Sequence, residues 1–243
     1  MISTSPPGPA RAALIIPARN EAVVIGHTLA RVPRELFASV IVADDGSTDG
    51  TAAVARAAGA EVVLGPKQGY GAACLRTLAA LPAGLEAAVF LQADGSEDPN
   101  EARRLLAPIC EGRADLVIGS RTLGGAEKGA LHWHQVLGNR FSAWLIRLFF
   151  GRRYSDLSPF RAIRLSALAS LRMRERGYGW TVEMQVKALQ HGLRVLEVPV
   201  SYRVRVAGAS KVSGNWRGSL NAGARIIWTI VRLALAGRKQ AQP

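Results

Sequence analysis

Phe90-Leu91-Gln92-Ala93-Asp94-Gly95-Ser96-Glu97-Asp98-Pro99 is an apolar run that passes directly into acids and small residues. A short apolar run bounded by turn residues is the pattern of a buried strand, here over residues 87–91. Asp98 ahead of Pro99 is a cap followed by proline at the first helical position, which opens a helix over 100–110. A strand that hands carboxylates to solvent beside a helix start is where a sheet presents a metal ion or a phosphate.

Working outward, the same unit recurs. Residues 12–17, 40–43 and 61–64 are apolar runs, each followed by a polar turn and a helical stretch. These helices run to about residue 32 with Asn20 as cap, over 52–58 with Ser47 or Thr48 as cap, and over 69–80. Residues 115–119 make a fifth strand. Alternation with short connections predicts a mostly parallel sheet covered by helices on both faces. Ligands bind such sheets at the carboxyl ends of the strands, where the polar clusters at 18–21, 44–45 and 92–96 all fall.

Past Gly119 the alternation stops. Residues 120–129 form a glycine-rich loop, and 131–150 a helix with Trp133, Leu137, Phe141, Trp144 and Leu148 on one side and Arg140 and Arg147 along its border. A turn at Gly151, a strand over 160–164, a helix over 181–191 and strands over 194–198 and 201–206 follow. The final helix, about 216–236, sets Arg217, Asn221, Arg225 and Arg232 on one stripe and Ile226, Ile227, Ile230, Leu233 and Ala234 away from it. The expected organisation is a tail over 1–10, one α/β domain over 11–214 with halves 11–119 and 120–214, and an amphipathic C-terminal helix and tail over 215–243.

The chain of 243 residues carries 31 Lys+Arg against 18 Asp+Glu, a net charge of +13. Such an excess attracts polyanions: nucleic acid, an anionic membrane surface or phosphorylated substrates. With 6% aromatic residues and no RNA-binding or zinc-finger signature, nucleic acid is set aside. Cys74 and Cys110 lack CxxC spacing, which argues against a metal knuckle or disulfide framework and for a reducing compartment. Residues 1–9 have no apolar core of the signal-peptide kind, so a cytoplasmic protein is expected. No run reaches the ~18 uninterrupted apolar residues of a spanning helix. The two amphipathic helices over 131–150 and 216–236 are either core, a dimer contact or membrane-surface elements, tryptophan with arginine suiting the headgroup region. His27, His132, His134 and His191 lack a carboxylate partner pattern, and His132 and His134 read as lying on opposite sides of a helix.

Several segments coincide with one family: Ile16-Pro17-Ala18-Arg19-Asn20-Glu21, Val42-Ala43-Asp44-Asp45-Gly46-Ser47-Thr48-Asp49-Gly50-Thr51, Lys67-Gln68-Gly69-Tyr70-Gly71, the 90–99 stretch, and Gly119-Ser120-Arg121. Together they resemble a family-2 inverting glycosyltransferase of the GT-A (Rossmann-like) fold. Leu137-Gly138-Asn139-Arg140, Asp156-Leu157-Ser158-Pro159-Phe160-Arg161-Ala162, Gly179-Trp180-Thr181-Val182-Glu183 and Tyr202-Arg203-Val204-Arg205 with Ser210-Lys211 are similar to its dolichol- or polyprenyl-phosphate mannose or glucose synthase branch.

The resemblance implies transfer of a hexose from a UDP-glucose or GDP-mannose type donor to polyprenyl phosphate, at the inner face of a membrane. It places Pro17, Arg19 and Glu21 on the base and ribose, Asp44 on the imide N–H of the base, Asp45 in support of the loop and Lys67 near the diphosphate. Gln92-Ala93-Asp94 aligns with the family's Asp-x-Asp metal motif, with Gln92 where the first acid stands. Asp94 and the diphosphate would hold Mg²⁺ or Mn²⁺, Gln92 adding at most a neutral oxygen. Glu97 and Asp98 suit helix capping better.

Asp156 is the candidate acceptor-side carboxylate, either catalytic, positioning the acceptor or bound to Arg161, and Glu183 is a weaker candidate. Arg121, Arg161, Arg203, Arg205, Ser210 and Lys211 would bind the phosphates. Two alternatives stay open at this level: a glycosyltransferase with a soluble acceptor, and a non-catalytic module that binds nucleotide sugars or anionic lipids.

Overall fold

The computed structural model describes residues 11–205 and 216–240. Seven strands form one sheet: β1 (Ala12–Ala18), β2 (Phe37–Asp45), β3 (Glu61–Gly65), β4 (Ala87–Phe90), β5 (Leu116–Ser120), β6 (Arg161–Arg164) and β7 (Val195–Pro199). Their order is β3-β2-β1-β4-β6-β5-β7. The pairs β1–β2, β1–β4, β2–β3 and β5–β7 are parallel, as expected. β6 inserts antiparallel between β4 and β5, a long-range pairing that breaks the expected parallel run.

The helices are α1 (Ala22–Ala30), α2 (Thr51–Ala57), α3 (Tyr70–Ala79), α4 (Ala102–Cys110), α5 (Arg121–Gly124), α6 (Trp133–Phe150), α7 (Leu165–Leu171), α8 (Trp180–Gln190) and α9 (Trp216–Gln240). They cover the sheet on both sides, and strand side chains alternate between two cores. Leu14, Ile16, Val89 and Val117 join one core, whereas Ile15, Phe90 and Ile118 join the other with Trp180 and Met184. Among the described residues no helix is long and apolar enough to cross a membrane.

Local corrections have local causes. Asn20 does not cap α1: it sits at φ +50°, a conformation asparagine tolerates, and Glu21 takes the cap position. The Asn20 side-chain oxygen instead accepts from the Thr48 N–H at 2.8 Å. α2 is capped by neither Ser47 nor Thr48. Gly50, at φ +85°, precedes it, and the Asp49 carboxylate accepts from the N–H groups of Thr51 (3.1 Å) and Ala22 (3.0 Å), joining the first two turns.

His132 lies just ahead of α6, not within it, so its ring stacks on His134 with centroids 5.3 Å apart. The strand expected over 201–206 reduces, within the described residues, to a single bridge between Tyr202 and Ala126. α7 was not foreseen; Ala167, Leu168 and Leu171 bury its inner face.

α9 packs Ile230 and Leu233 into the core. Arg225 and Arg232 approach Glu175 at 2.8 and 3.8 Å, and that carboxylate is almost fully buried.

Candidate active site

The carboxyl ends of β1, β2, β4 and β5 open into one cleft of about 720 Å³. Pro17, Arg19 and Glu21 line it from the turn after β1. Arg19 keeps its Nε buried without a hydrogen-bond partner.

At the end of β2 two adjacent acids divide their work. Asp44 is buried behind the cleft; its Oδ1 accepts from the Ser47 N–H at 2.7 Å, and its Oδ2 has no hydrogen-bond partner. Asp45 accepts from the Gln68 and Gly69 N–H groups, each at 2.9 Å, with Arg76 at 3.7 Å. This fixes the backbone of the 67–69 loop and leaves Lys67 exposed at the cleft wall. Gly69 needs its glycine: φ is +109° and a Cβ would lie 2.7 Å from the Arg176 carbonyl oxygen.

Gln92, Ala93 and Asp94 form the cleft floor beyond β4. Asp94 is buried, its Oδ1 accepting from the Ser96 N–H (3.0 Å) and hydroxyl (2.5 Å), its Oδ2 paired with Arg205 at 2.6 Å. Asp98 caps the next turn through the Asn100 N–H, as read from the sequence. Glu97 does not cap. It turns under the floor, accepts from the Gln92 N–H at 2.8 Å through Oε2 and leaves Oε1 buried without a partner. Burial pushes its carboxyl up to about 8, against the Gln92 N–H and with the Asp94 charge.

After β5, Ser120 caps α5 by accepting from the Leu123 N–H at 3.1 Å, which sets Arg121 at the start of the turn. The Arg121 guanidinium lies over the Tyr202 ring, 5.1 Å from its centroid, and grips Asp156 with two prongs. Burial works to lower this guanidinium, but the hydrogen bonds and charge of Asp156 prevail and its pKa is raised. Asp156 therefore binds Arg121, not Arg161, and is buried behind it.

Arg161 is not part of a basic floor. Completely buried, it donates to the Ser158 carbonyl through Nε at 3.1 Å and through Nη2, and to the Thr181 carbonyl at 2.8 Å. Burial brings its pKa down to about 10. Arg203 points away to Asp98 at 3.3 Å and does not line the cleft, whereas Arg205 does. Glu183 is a structural acceptor for the Arg174 and Glu175 N–H groups and pairs with Lys187 at 2.9 Å. Ser210 and Lys211 lie outside the described residues.

The cleft thus gathers Pro17, Arg19, Glu21, Asp45, Lys67, Gln92, Ala93, Asp94, Arg121 and Arg205, and leaves Asp44 and Asp156 immediately behind it. Tyr70, Gln135, Tyr178 and Ile226 also line it and were not foreseen. Tyr70 and Tyr178 stand beside the glycines of the 67–71 and 179–183 segments, but Gln135 and Ile226 carry no signal beyond helical periodicity. Among the described residues no three His, Cys, Asp or Glu side chains converge on a metal position. Asp94 and Gln92 fit a hard divalent cation that brings phosphate oxygens and waters as its other ligands.

The sequence pattern described as "Glycosyl transferase family 2" matches residues 13–173. An uncharacterized glycosyltransferase of Mycobacterium tuberculosis is 37% identical over 211 residues, 86% of this chain and 93% of that protein. The polyprenol monophosphomannose synthase of Mycolicibacterium smegmatis is 31% identical, covering 84% of this chain and 82% of its own. The undecaprenyl-phosphate mannosyltransferase of Micrococcus luteus is also 31% identical, with 94% and 96% covered.

Among solved structures, glucosyl-3-phosphoglycerate synthase of M. tuberculosis, in complex with Mn²⁺, UDP and glucosyl-3-phosphoglycerate, superimposes with a TM-score of 0.75 at 24% identity, over 93% of this chain and 80% of that one. That likeness bears on the fold, which is the GT-A fold. The matched pattern and the curated relatives place the chain in glycosyl transferase family 2, and it is a glycosyltransferase.

Proposed function

We propose that the protein moves one hexose from a nucleotide diphosphate sugar of the UDP-glucose or GDP-mannose type to a polyprenyl phosphate, with inversion, while seated on the inner face of a membrane. The observation that carries the lipid acceptor is the position of an exposed apolar stripe. Trp133 (78% exposed), Leu137, Phe141, Trp144 (52%) and Leu148 face solvent along α6, and Trp228 (59%) does so on α9. Gln135 of α6 and Ile226 of α9 line the cleft, so the helices that carry the stripe also border the cleft. Indole rings and arginines on one helix suit the bilayer interface. Two of the relatives are named for transfer to polyprenol carriers.

In this reading Asp44 accepts the base imide N–H with its unpartnered Oδ2, and Pro17, Arg19 and Glu21 border the base and ribose. Lys67 offsets diphosphate charge from a mobile side chain. Asp94 and Gln92 would hold Mg²⁺ or Mn²⁺, which supplies Lewis-acid stabilisation of the departing diphosphate. The acceptor phosphate oxygen is already anionic, so its attack on the anomeric carbon needs no strong base. Arg121, held rigid by Asp156, neutralises that phosphate, and Arg205 serves the donor diphosphate; Ser210 and Lys211 are further phosphate-binding candidates by sequence.

The test is incubation with UDP-glucose, GDP-mannose and related donors, polyprenyl phosphate and Mg²⁺ or Mn²⁺, followed by mass measurement of the lipid. A hexose-sized gain is expected with one donor; no gain with any of them overturns the proposal. Transfer instead to a soluble phosphorylated acceptor would leave the α6 stripe for a second copy of the chain in a homodimer.

A further inference from the structure

We infer that Arg205 competes with the divalent cation for Asp94, so that the cation enters this site only together with a nucleotide diphosphate. The inference deepens the proposed function and rests on it for the identity of the diphosphate.

The two oxygens of Asp94 have different partners. Oδ1 is committed to Ser96, whose N–H and hydroxyl both reach it, at 3.0 and 2.5 Å. Oδ2 is the oxygen left for a metal, and Arg205 holds it at 2.6 Å. Both partners lie in the cleft, with the Asp94 side chain 4% exposed and that of Arg205 25%, so the pair is only partly screened by water.

The neighbouring charges do not restore a negative site. Gln92, which stands beside Asp94 on the floor, is neutral. Asp98 is shared by Arg31 at 3.1 Å and Arg203 at 3.3 Å. The Asp156 charge is spent on Arg121. The Glu97 Oε2 is spent on the Gln92 N–H.

A bare divalent cation approaching Asp94 therefore meets a carboxylate whose charge Arg205 already cancels, and must displace an arginine to reach it. Two facing carboxylates would hold the cation on their own; here the residue beside Asp94 on the floor is the neutral Gln92, Asp45 is engaged by the Gln68 and Gly69 N–H groups, and Arg205 holds Asp94 itself. A diphosphate changes the balance. It brings negative charge and oxygens for the cation, and a second anion for the planar guanidinium fork, which suits phosphate oxygens as well as carboxylate. Asp94 then passes from Arg205 to the metal while Arg205 passes to the diphosphate, and both charges stay paired.

Free Mn²⁺, read by its electron paramagnetic resonance signal during titration of the protein, tests this without turnover. Wild type should bind Mn²⁺ weakly alone and far more tightly with UDP or GDP. Arg205→Gln should bind Mn²⁺ alone about tenfold more tightly than wild type, the gain expected from removing one adjacent cation. Arg205→Lys, which keeps the charge, should stay within a few-fold of wild type. Adding Asp94→Asn to Arg205→Gln should erase the gain, and far-ultraviolet circular dichroism checks that each variant is folded.

Equal affinity of wild type for Mn²⁺ with and without nucleotide overturns the ordering. An Arg205→Gln affinity for Mn²⁺ alone no higher than wild type overturns the competition. If neither nucleotide binds wild type with Mn²⁺, the proposed donor chemistry fails and the ordering fails with it, while the comparison of Mn²⁺ alone across the variants still judges the competition by itself.

Discussion

Arg121 and Asp156 form a two-pronged pair at the wall of the cleft: Nε to Oδ2 at 2.8 Å and Nη2 to Oδ1 at 2.7 Å, with the Arg121 N–H also on Oδ2 at 2.9 Å. Both carboxylate oxygens accept from arginine, and the side chain is almost fully buried. A carboxylate so engaged orients a cation; it is poorly placed to collect a proton from an acceptor.

Asp156→Ala should therefore be costly to folding, because it strands a guanidinium that is only 13% exposed; losses of a fully buried partner run to about 3–5 kcal/mol, and this one should fall below that range. Urea unfolding monitored by tryptophan fluorescence measures this. Asp156→Asn keeps one acceptor oxygen and should lower transfer by about 100-fold at most, the scale of a misplaced binding group, with the pH–rate profile unmoved. A profile that loses a limb in this variant would mark Asp156 as a base.

Glu97 makes the stability of the fold depend on pH. An exposed glutamate titrates near 4.5, and burial raises this one to about 8 in the folded chain. Folding thus takes up a proton between those values. The carboxyl imposes no penalty below about pH 4.5, a growing one as pH rises to about 8, and a constant one beyond, on the order of a few kcal/mol. Urea midpoints of the chelator-treated protein at pH 5 and pH 8.5 should differ more for wild type than for Glu97→Gln. Identical slopes in the two proteins would contradict the buried placement.

Glu175 ties the last helix to the cleft. Its Oε1 accepts from the Gly177 N–H (3.1 Å) and Arg225 (2.8 Å), and Gly177 and Tyr178 line the cleft. Hydrogen bonds to charged groups contribute about 1.5–3 kcal/mol, so Glu175→Gln should loosen both elements by a large part of that. Hydrogen exchange should speed up over 222–235 and over 176–180 together. Faster exchange in α9 alone would show that the carboxylate does not couple them.

The α6 stripe should govern attachment to bilayers. Replacing Phe141 and Trp144, whose rings pack 5.8 Å apart, by serine removes two large apolar groups worth about 1.5–3 kcal/mol each when buried. Sedimentation with anionic liposomes should fall by an order of magnitude or more, while hexose transfer to a short, water-soluble prenyl phosphate persists. Unchanged sedimentation would remove the membrane role of this face.

Chelation should stop transfer, and Mg²⁺ or Mn²⁺ should restore it. Gln92→Asp adds a second carboxylate to the floor and should tighten Mn²⁺ binding in calorimetric titration; weaker binding would mean the side chain is not aimed at the metal. Asp94→Ala should abolish transfer.

How much of this could be read from the chain alone depends on the range of the interaction. The strands β1 to β5 and their helices announce themselves because burial on both faces writes continuous apolar runs, and the turns at 18–21, 44–51 and 92–99 announce the cleft because the strand ends converge there. What failed was decided by distant neighbours. Arg161 belongs to a phosphate-binding pattern by sequence, yet three carbonyl and amide groups from Ser158, Thr181 and Gln185 enclose it in the core. Glu97 sits one residue before a good cap and looks like part of it; only the fold turns it inward. The pairing of Arg205 with Asp94 spans 111 positions and leaves no local trace.

The placement of β6 has a consequence for the order of events on the ribosome. β5 has no direct hydrogen-bonded partner among β1 to β4; it reaches them through residues 161–164. During synthesis the edge of β4 and the whole of β5 must wait, unpaired and apolar, until some forty further residues have emerged, about 2–8 seconds at ordinary elongation rates. In that interval the half-built sheet has an open slot the width of one strand, and the chain that fills it brings Asp156 and its neighbours into place in the same step.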